Sequence, residues 1–132
     1  MDQVRDAMVS DPRALPSTSS ARDAGELLTR PEVRAVFVVE DERLTGVVTR
    51  KTLVSRVVAE GRDPSRTLLS EISEEPHYTI APDVALEDAF RFLEEHDVER
   101  VPVVENGRLI GVLSRSVLQR RLAEDEEPPE QE

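Results

Sequence analysis

Two fifteen-residue stretches of this chain repeat one pattern without a gap, and that repetition restricts the fold more than any other feature. The second stretch is Val101-Pro102-Val103-Val104-Glu105-Asn106-Gly107-Arg108-Leu109-Ile110-Gly111-Val112-Leu113-Ser114-Arg115. It reads as strand, tight turn, strand and helix start. Val101, Val103 and Val104 are β-branched, and Asn106-Gly107 is the strongest two-residue hairpin signal, because both central residues of a type I′ turn take positive φ. The first stretch, Val36-Phe37-Val38-Val39-Glu40-Asp41-Glu42-Arg43-Leu44-Thr45-Gly46-Val47-Val48-Thr49-Arg50, lies 65 positions earlier, so that Gly46 falls on Gly111. The same offset relates Asp23 to Asp88, Ala24 to Ala89, Leu28 to Leu93, Val38 to Val103 and Leu44 to Leu109. The chain is a tandem duplication.

A unit of about 60 residues buries only roughly 60% of its unfolded surface, so neither half is expected to be stable alone. One core built by both halves of the 132-residue chain is the better reading. The expected division is repeat 1 over residues 1–61, a connector over 62–68, repeat 2 over 69–123 and a disordered acidic tail over 124–132. Glu124, Asp125, Glu126, Glu127, Glu130 and Glu132 carry that tail's charge with no basic residue among them. Such a run offers too little apolar surface to offset its ordering. The formal net charge is −11, and setting those six aside leaves −5. An acidic balance argues against nucleic acid as a partner, since phosphate backbones need a concentrated basic surface. Cysteine is absent, which excludes disulfides, thiolate metal sites and cysteine nucleophiles and fits a reducing compartment. The opening residues have neither the basic nor the apolar region of a secretory signal. No apolar run approaches the roughly 20 residues that span a bilayer. The expectation is a soluble cytoplasmic protein with no membrane partner.

Hydropathy periodicity supplies the remaining elements. Val4 to Met8 suggests a short helical turn, and Ala14-Leu15-Pro16 a brief extended segment. Ser20 with Asp23 resembles a capping box opening a helix whose apolar face is Ala21, Ala24, Leu27 and Leu28, ended near Pro31. Thr52 to Ala59 predicts a helix with Leu53, Val54, Val57 and Val58 on one face. Leu69 to Ser73 is a helical turn and Tyr78 to Ala81 a short strand. Leu86, Ala89, Phe90 and Leu93 fall at i, i+3, i+4 and i+7 of a further helix. Val117, Leu118 and Leu122 give the last helix its apolar side. Phe90 and Phe92, two apart, cannot share one helix face, so one is expected to meet the partner repeat or a second subunit.

The stretch from Glu99 to Arg115, a strand ending in Pro-Val-Val, a turn, and a glycine opening onto Ser114 at a helix start, resembles the signature of the CBS domain family. Thr79-Ile80-Ala81-Pro82-Asp83 and the helix after it match the family layout, and the first copy follows it with Phe37 where proline is usual. Two copies over roughly residues 1–123 resemble a CBS pair, or Bateman module. The resemblance implies an α/β (α+β) fold of two tandem β-α-β-β-α repeats, packed sheet to sheet with pseudo-twofold symmetry. It also implies two clefts between the repeats, which in many relatives hold AMP, ADP, ATP or S-adenosylmethionine as regulatory ligands. Carried over by position, one cleft is lined by Leu15, Arg34, Ala35, Val36, Thr49, Arg50, Lys51 and Thr52. The other is lined by Ile80, Arg100, Val101, Ser114 and Arg115. Relatives that bind adenosine usually have aspartate, for the ribose hydroxyls, three residues beyond the Thr or Ser. Here those positions are Thr52 and Val117, and Thr52 alone keeps a hydrogen-bonding group.

Physical chemistry leaves two readings of Thr49 and Ser114. At helix starts the unpaired N–H groups favour an anion, so each hydroxyl either caps alone or caps beside a bound phosphate. Arg50, Lys51 and Arg115 oppose the helix dipole by about 0.3–1 kcal/mol each, and a phosphate would reverse that sign. His77 and His96 have no cysteine partner and fall opposite Pro12 and Pro31 in the repeat, so no metal site is read. Glu74-Glu75 and Glu94-Glu95 read as solvated faces or turns, and Tyr78 as a partly buried core residue in preference to one flanking an adenine. No nucleophile–base set can be assembled. The leading expectation is a non-catalytic regulatory module that binds an adenosine-containing nucleotide, forms a homodimer and signals to an effector protein the sequence does not name. The alternative is an interaction and dimerisation module that has lost nucleotide binding.

Overall fold

The structure, a computed structural model, describes residues 2–10 and 12–126. Its elements run α1 (Val4–Ala7), β1 (Ala14–Pro16), α2 (Ala21–Leu28), β2 (Val36–Glu40), β3 (Arg43–Val48) and α3 (Arg50–Leu53). A π-helical turn (Val54–Val58), α4 (Leu69–Ile72), α5 (Leu86–Glu95), β4 (Arg100–Glu105), β5 (Arg108–Ser114) and α6 (Arg115–Glu126) follow. The fold is mixed α and β: β1, β2 and β3 are neighbours in that order, and β4 pairs with β5. β1 lies parallel to β2 with Leu15 opposite Val38, and β2 antiparallel to β3 with Val36 opposite Val48.

Both hairpins turn through two left-handed residues, as type I′ geometry requires. Asn106 and Gly107 have φ of 54° and 82°, and Asp41 and Glu42 have 50° and 68°. The first hairpin therefore holds a glutamate where the second has glycine, at a cost of about 1–2 kcal/mol for the left-handed backbone. Thr45 is the extra residue of a bulge, since Val38 faces Gly46 while Val39 faces Leu44. Its hydroxyl donates to the Val38 carbonyl at 3.2 Å.

Two compact units form, and they cut across the sequence repeats. One comprises Met1–Asp11, Tyr78–Asn106 and Ile110–Glu132, the other Pro12–His77 and Gly107–Leu109. In the first unit the Val4 and Arg5 N–H groups donate to the Val84 and Pro82 carbonyls, each at 2.9 Å. Val4 thereby joins a core of Ile80, Leu86, Ala89, Leu93, Val101, Val103, Leu113 and Leu118. In the second, the Leu69 and Ser70 N–H groups donate to the Ser19 and Ser17 carbonyls at 2.8 and 3.0 Å. Leu69 and Ile72 complete a core of Ala21, Ala24, Leu28, Val33, Val36, Val38, Val48 and Val57. The short helix opening each repeat is thus spent on the unit that holds the other repeat's hairpin.

Gly46 and Gly111 explain themselves in this arrangement. A Cβ at Gly46 would stand 2.5 Å from Ser73 Oγ, and one at Gly111 would stand 2.7 Å from both Met8 Sδ and the Val9 carbonyl. The segment beyond each opening helix bridges to the strand there, Glu74 opposite Val47 and Val9 opposite Val112.

Several expectations need correction. The single core expected of both halves is two cores, one in each unit. The helix after Thr49 does not keep one apolar face. Its π-helical turn, closed by Ala59 N–H to the Val54 carbonyl at 2.8 Å, puts residues five apart on the same side. Thr52 and Val57 are buried, while Val54 and Val58 are 60% and 71% exposed. Phe90 and Phe92 are both half-buried against the core of their own unit, because a face wider than one row covers both. The strand expected at Tyr78–Ala81 is a single bridge, Ile80 with Val103. α6 continues through Glu126, where alanine and glutamate propagate a helix readily and the restriction before Pro128 has not yet begun. The rest of the expected acidic tail, residues 127–132, lies outside the described residues.

Two glycine substitutions test this packing. Gly25 is inside α2, and an added Cβ meets only Leu53 Cδ1 at an ordinary 3.6 Å. Gly25→Ala should therefore stabilise by about 0.5–1 kcal/mol, whereas Gly111→Ala must push against backbone and should destabilise by about 1–3 kcal/mol. Urea denaturation of the two variants reads both signs.

Candidate functional site

In the unit containing residues 12–77, the starts of β1 and β2 and the end of β3 meet at one end of the sheet, where α3 begins. Ala14 is opposite Phe37, and the Phe37 N–H donates to the Arg13 carbonyl at 2.9 Å. Val36 is opposite Val48, so Arg34, Ala35 and Val36 enter beside Thr49. Leu15 packs partly buried on the core, and Val36 is fully buried. A ligand would therefore meet the backbone of Val36 rather than its side chain.

Thr49 and Thr52 form a reciprocal cap. Thr49 Oγ1 accepts the Thr52 N–H at 3.3 Å, and Thr52 Oγ1 accepts the Thr49 N–H at 3.0 Å. Thr52 Oγ1 also donates to Glu74 Oε1 at 2.8 Å. A threonine hydroxyl has one proton, so across the 3.1 Å gap between the two hydroxyls Thr49 is the donor. Thr52 is 0% exposed, and its hydroxyl is committed in every direction. Arg50 turns away, its guanidinium Nη2 donating to the Arg30 carbonyl beyond α2 at 2.8 Å. Lys51 stays exposed.

The sequence reading missed Glu74. It lies 22 residues from Thr52, on a segment whose N–H and carbonyl both bond Val47, at 3.0 and 2.8 Å. No local pattern marks it. The one signal is the repeat offset, which sets Glu74 and Thr52 against Val9 and Val117. A polar pair in one copy corresponds to an apolar pair in the other.

The second group belongs to the other unit. Ile80 and Val101 are buried, at 8% and 0% exposed, and Arg100 is exposed. Ser114, 8% exposed, opens α6, but its Oγ is 3.5 Å from the Val117 N–H and 3.0 Å from Ser116 Oγ. Arg115 donates its backbone N–H to the Glu99 carbonyl at 2.8 Å. Its guanidinium stands 3.5 Å from the Asp97 carboxylate and 3.8 Å from that of Glu99. Two carboxylates of the chain itself already face the one cation expected to meet a phosphate there. Tyr78 is not a core residue: 37% exposed, it packs against Phe92 and His96 with ring centroids 5.5 and 4.7 Å away. Among the described residues no carboxylate and histidine cluster is placed to hold a metal ion, and no helix is long and apolar enough to cross a membrane.

A duplicated hairpin running into a hydroxyl-capped helix, with each opening helix given to the other copy's unit, defines a paired module. The chain belongs to the CBS domain family, whose profile matches residues 4–59 and 69–124. CBS pairs are in general regulatory modules rather than catalytic ones. The chain is similar to the CBS domain-containing protein YhcV of Bacillus subtilis, 29% identical over 114 residues that cover 86% of this chain and 81% of that one. Among solved structures it resembles a putative acetoin utilization protein (AcuB) from Vibrio cholerae, with a TM-score of 0.82, 25% identity and coverage of 97% and 99%. It also resembles CBSX2 in complex with AMP, with a TM-score of 0.78, 25% identity and coverage of 96% and 100%.

The two caps should differ measurably. Thr52→Val leaves the Thr49 N–H and Glu74 without a buried partner and should cost about 1–3 kcal/mol, and Thr49→Ala about 1 kcal/mol. Ser114→Ala removes a long cap bond and a bond to the exposed Ser116 hydroxyl, and should cost less than either. Thermal denaturation with a Thr52→Val, Glu74→Ala double-mutant cycle gives the coupling directly.

Proposed function

We propose that the chain is a cytoplasmic, non-catalytic regulatory module that takes one adenosine-containing ligand per chain, at the Thr49–Thr52 cap, and passes occupancy to an effector protein. The observation that carries this reading is the contrast between the two copies. The first keeps two hydroxyls, a carboxylate and an exposed lysine around α3. The second has Val9 and Val117 at the equivalent positions, with Arg115 already facing Asp97 and Glu99. The AMP complex of CBSX2 supports adenosine as the ligand class. A ligand shifts a protein between arrangements only through its different affinity for them, and a hydroxyl network tied to Glu74 is an element such a ligand would rearrange.

Calorimetry with adenosine, AMP, ATP and S-adenosylmethionine tests the reading. One site per chain is expected, unchanged in Ser114→Ala and Arg115→Ala, with AMP weakened about three- to tenfold in Lys51→Ala. Absence of any response at millimolar ligand would leave the interaction module as the function.

That second reading has its own observation, the exposure of Val54 and Val58 on the π-helical turn. We infer that these valines meet their counterparts in a second copy. The α5 face contributes nothing to this contact, because Leu86, Ala89 and Leu93 are used inside their own unit. Light scattering should give twice the 14.8 kDa chain mass, and the double variant Val54→Glu, Val58→Glu should give a monomer with unchanged helix content.

A further inference from the structure

We propose that Glu74 determines which adenosine ligands this site accepts, admitting those with little negative charge near α3 and disfavouring polyphosphates. The inference rests on the ligand-binding reading above and adds the selectivity. Glu74 is fixed at its backbone by the paired bonds to Val47, and its Oε1 is held 2.8 Å from Thr52 Oγ1. The carboxylate is thus anchored one hydrogen bond from the first turn of α3. Among the described residues no ion pair to it is found within 4 Å, and Thr52 is the only side chain bonding to it. An ionised carboxylate accepts at about four lone-pair positions, so most of its capacity remains for a ligand. Sugar hydroxyls are donors of the right kind, and a charge-assisted bond to a carboxylate is roughly twice as strong as a neutral one. Phosphate oxygens offer that carboxylate nothing and are repelled by it.

The cations around it do not cancel this charge. Arg50 is committed to the Arg30 carbonyl. Arg62 pairs with Glu71 at 2.9 Å, and Arg56 lies 3.6 Å from Glu60. Lys51 and Arg34 are left as flexible, exposed cations, neither of them paired with Glu74 among the described residues, and together they carry less charge than a triphosphate brings. Two unit charges about 6 Å apart at an exposed site, between the near-surface and bulk-water limits, repel enough to change affinity by about tenfold.

The bland alternative is that Glu74 only braces the Thr49–Thr52 cap. Glu74→Gln separates the two, because a glutamine oxygen still accepts the Thr52 hydroxyl while the charge is gone. Calorimetry at low salt on the wild-type chain and Glu74→Gln, with adenosine, AMP and ATP, gives the answer. In the wild type ATP should bind most weakly. In the variant ATP should gain about tenfold, AMP less, and adenosine should lose up to about tenfold. Unchanged ratios among the three ligands would overturn the role of Glu74 and leave the binding reading intact. No binding of any of them to either protein would overturn both. If the variant does not fold, the wild-type order decides, and tighter binding of ATP than of adenosine overturns the inference.

Discussion

The close approach of one chain segment to a strand at Gly46, and of its counterpart at Gly111, is the constraint on which both units depend. Residues 73–74 run against β3 and residues 8–9 against β5, so near that a single added carbon would collide. This contact brings Val4 into one core and Leu69 and Ile72 into the other, all three fully buried. It also aims Glu74 at the start of α3. Packing and site chemistry therefore share one cause: without the glycine the crossing segment moves out, and the carboxylate moves with it.

The π-helical turn after α3 is the second device with consequences at two places. Thr52 and Val57, five residues apart, are buried together, one to anchor the cap and the other to seal the core. Val54 and Val58 lie on the opposite side, 60% and 71% exposed. Two valines in water are costly in a lone chain and useful in an assembly. One local change of helix type thus holds a hydroxyl in the interior and puts an apolar pair outside.

Duplication supplied two similar places for a ligand, and divergence has treated them differently. One retains a chain of hydrogen bonds from Thr49 through Thr52 to Glu74. At the other, valines stand at both corresponding positions, and Arg115 faces carboxylates from its own unit. Substituting Thr52 by valine alone would leave the Thr49 N–H without its acceptor, and a glutamate placed at residue 9 alone would find no hydroxyl at Val117. A paired difference of this kind is what a coupled polar network leaves behind, since a half-satisfied network is worse than either extreme.

The duplication, both hairpins, the Ser20–Asp23 cap and the family were legible in the sequence, because each depends on contacts local to a few residues. Turn chemistry, capping and the period of apolar positions act within one element and leave their mark there. The destination of α1 and α4 was not legible: Val4 and Leu69 read as apolar turns, and nothing near them says which core they enter. Nor was the helix type after Thr49, since the π-helical turn follows from burying Thr52 with Val57 rather than from local propensity. Glu74 read as a solvated turn residue, and its place beside Thr52 exists only because the crossing at Gly46 carries it there. Local physics set the elements of this protein. Long-range packing alone decided which segment joins which core and which carboxylate reaches the site.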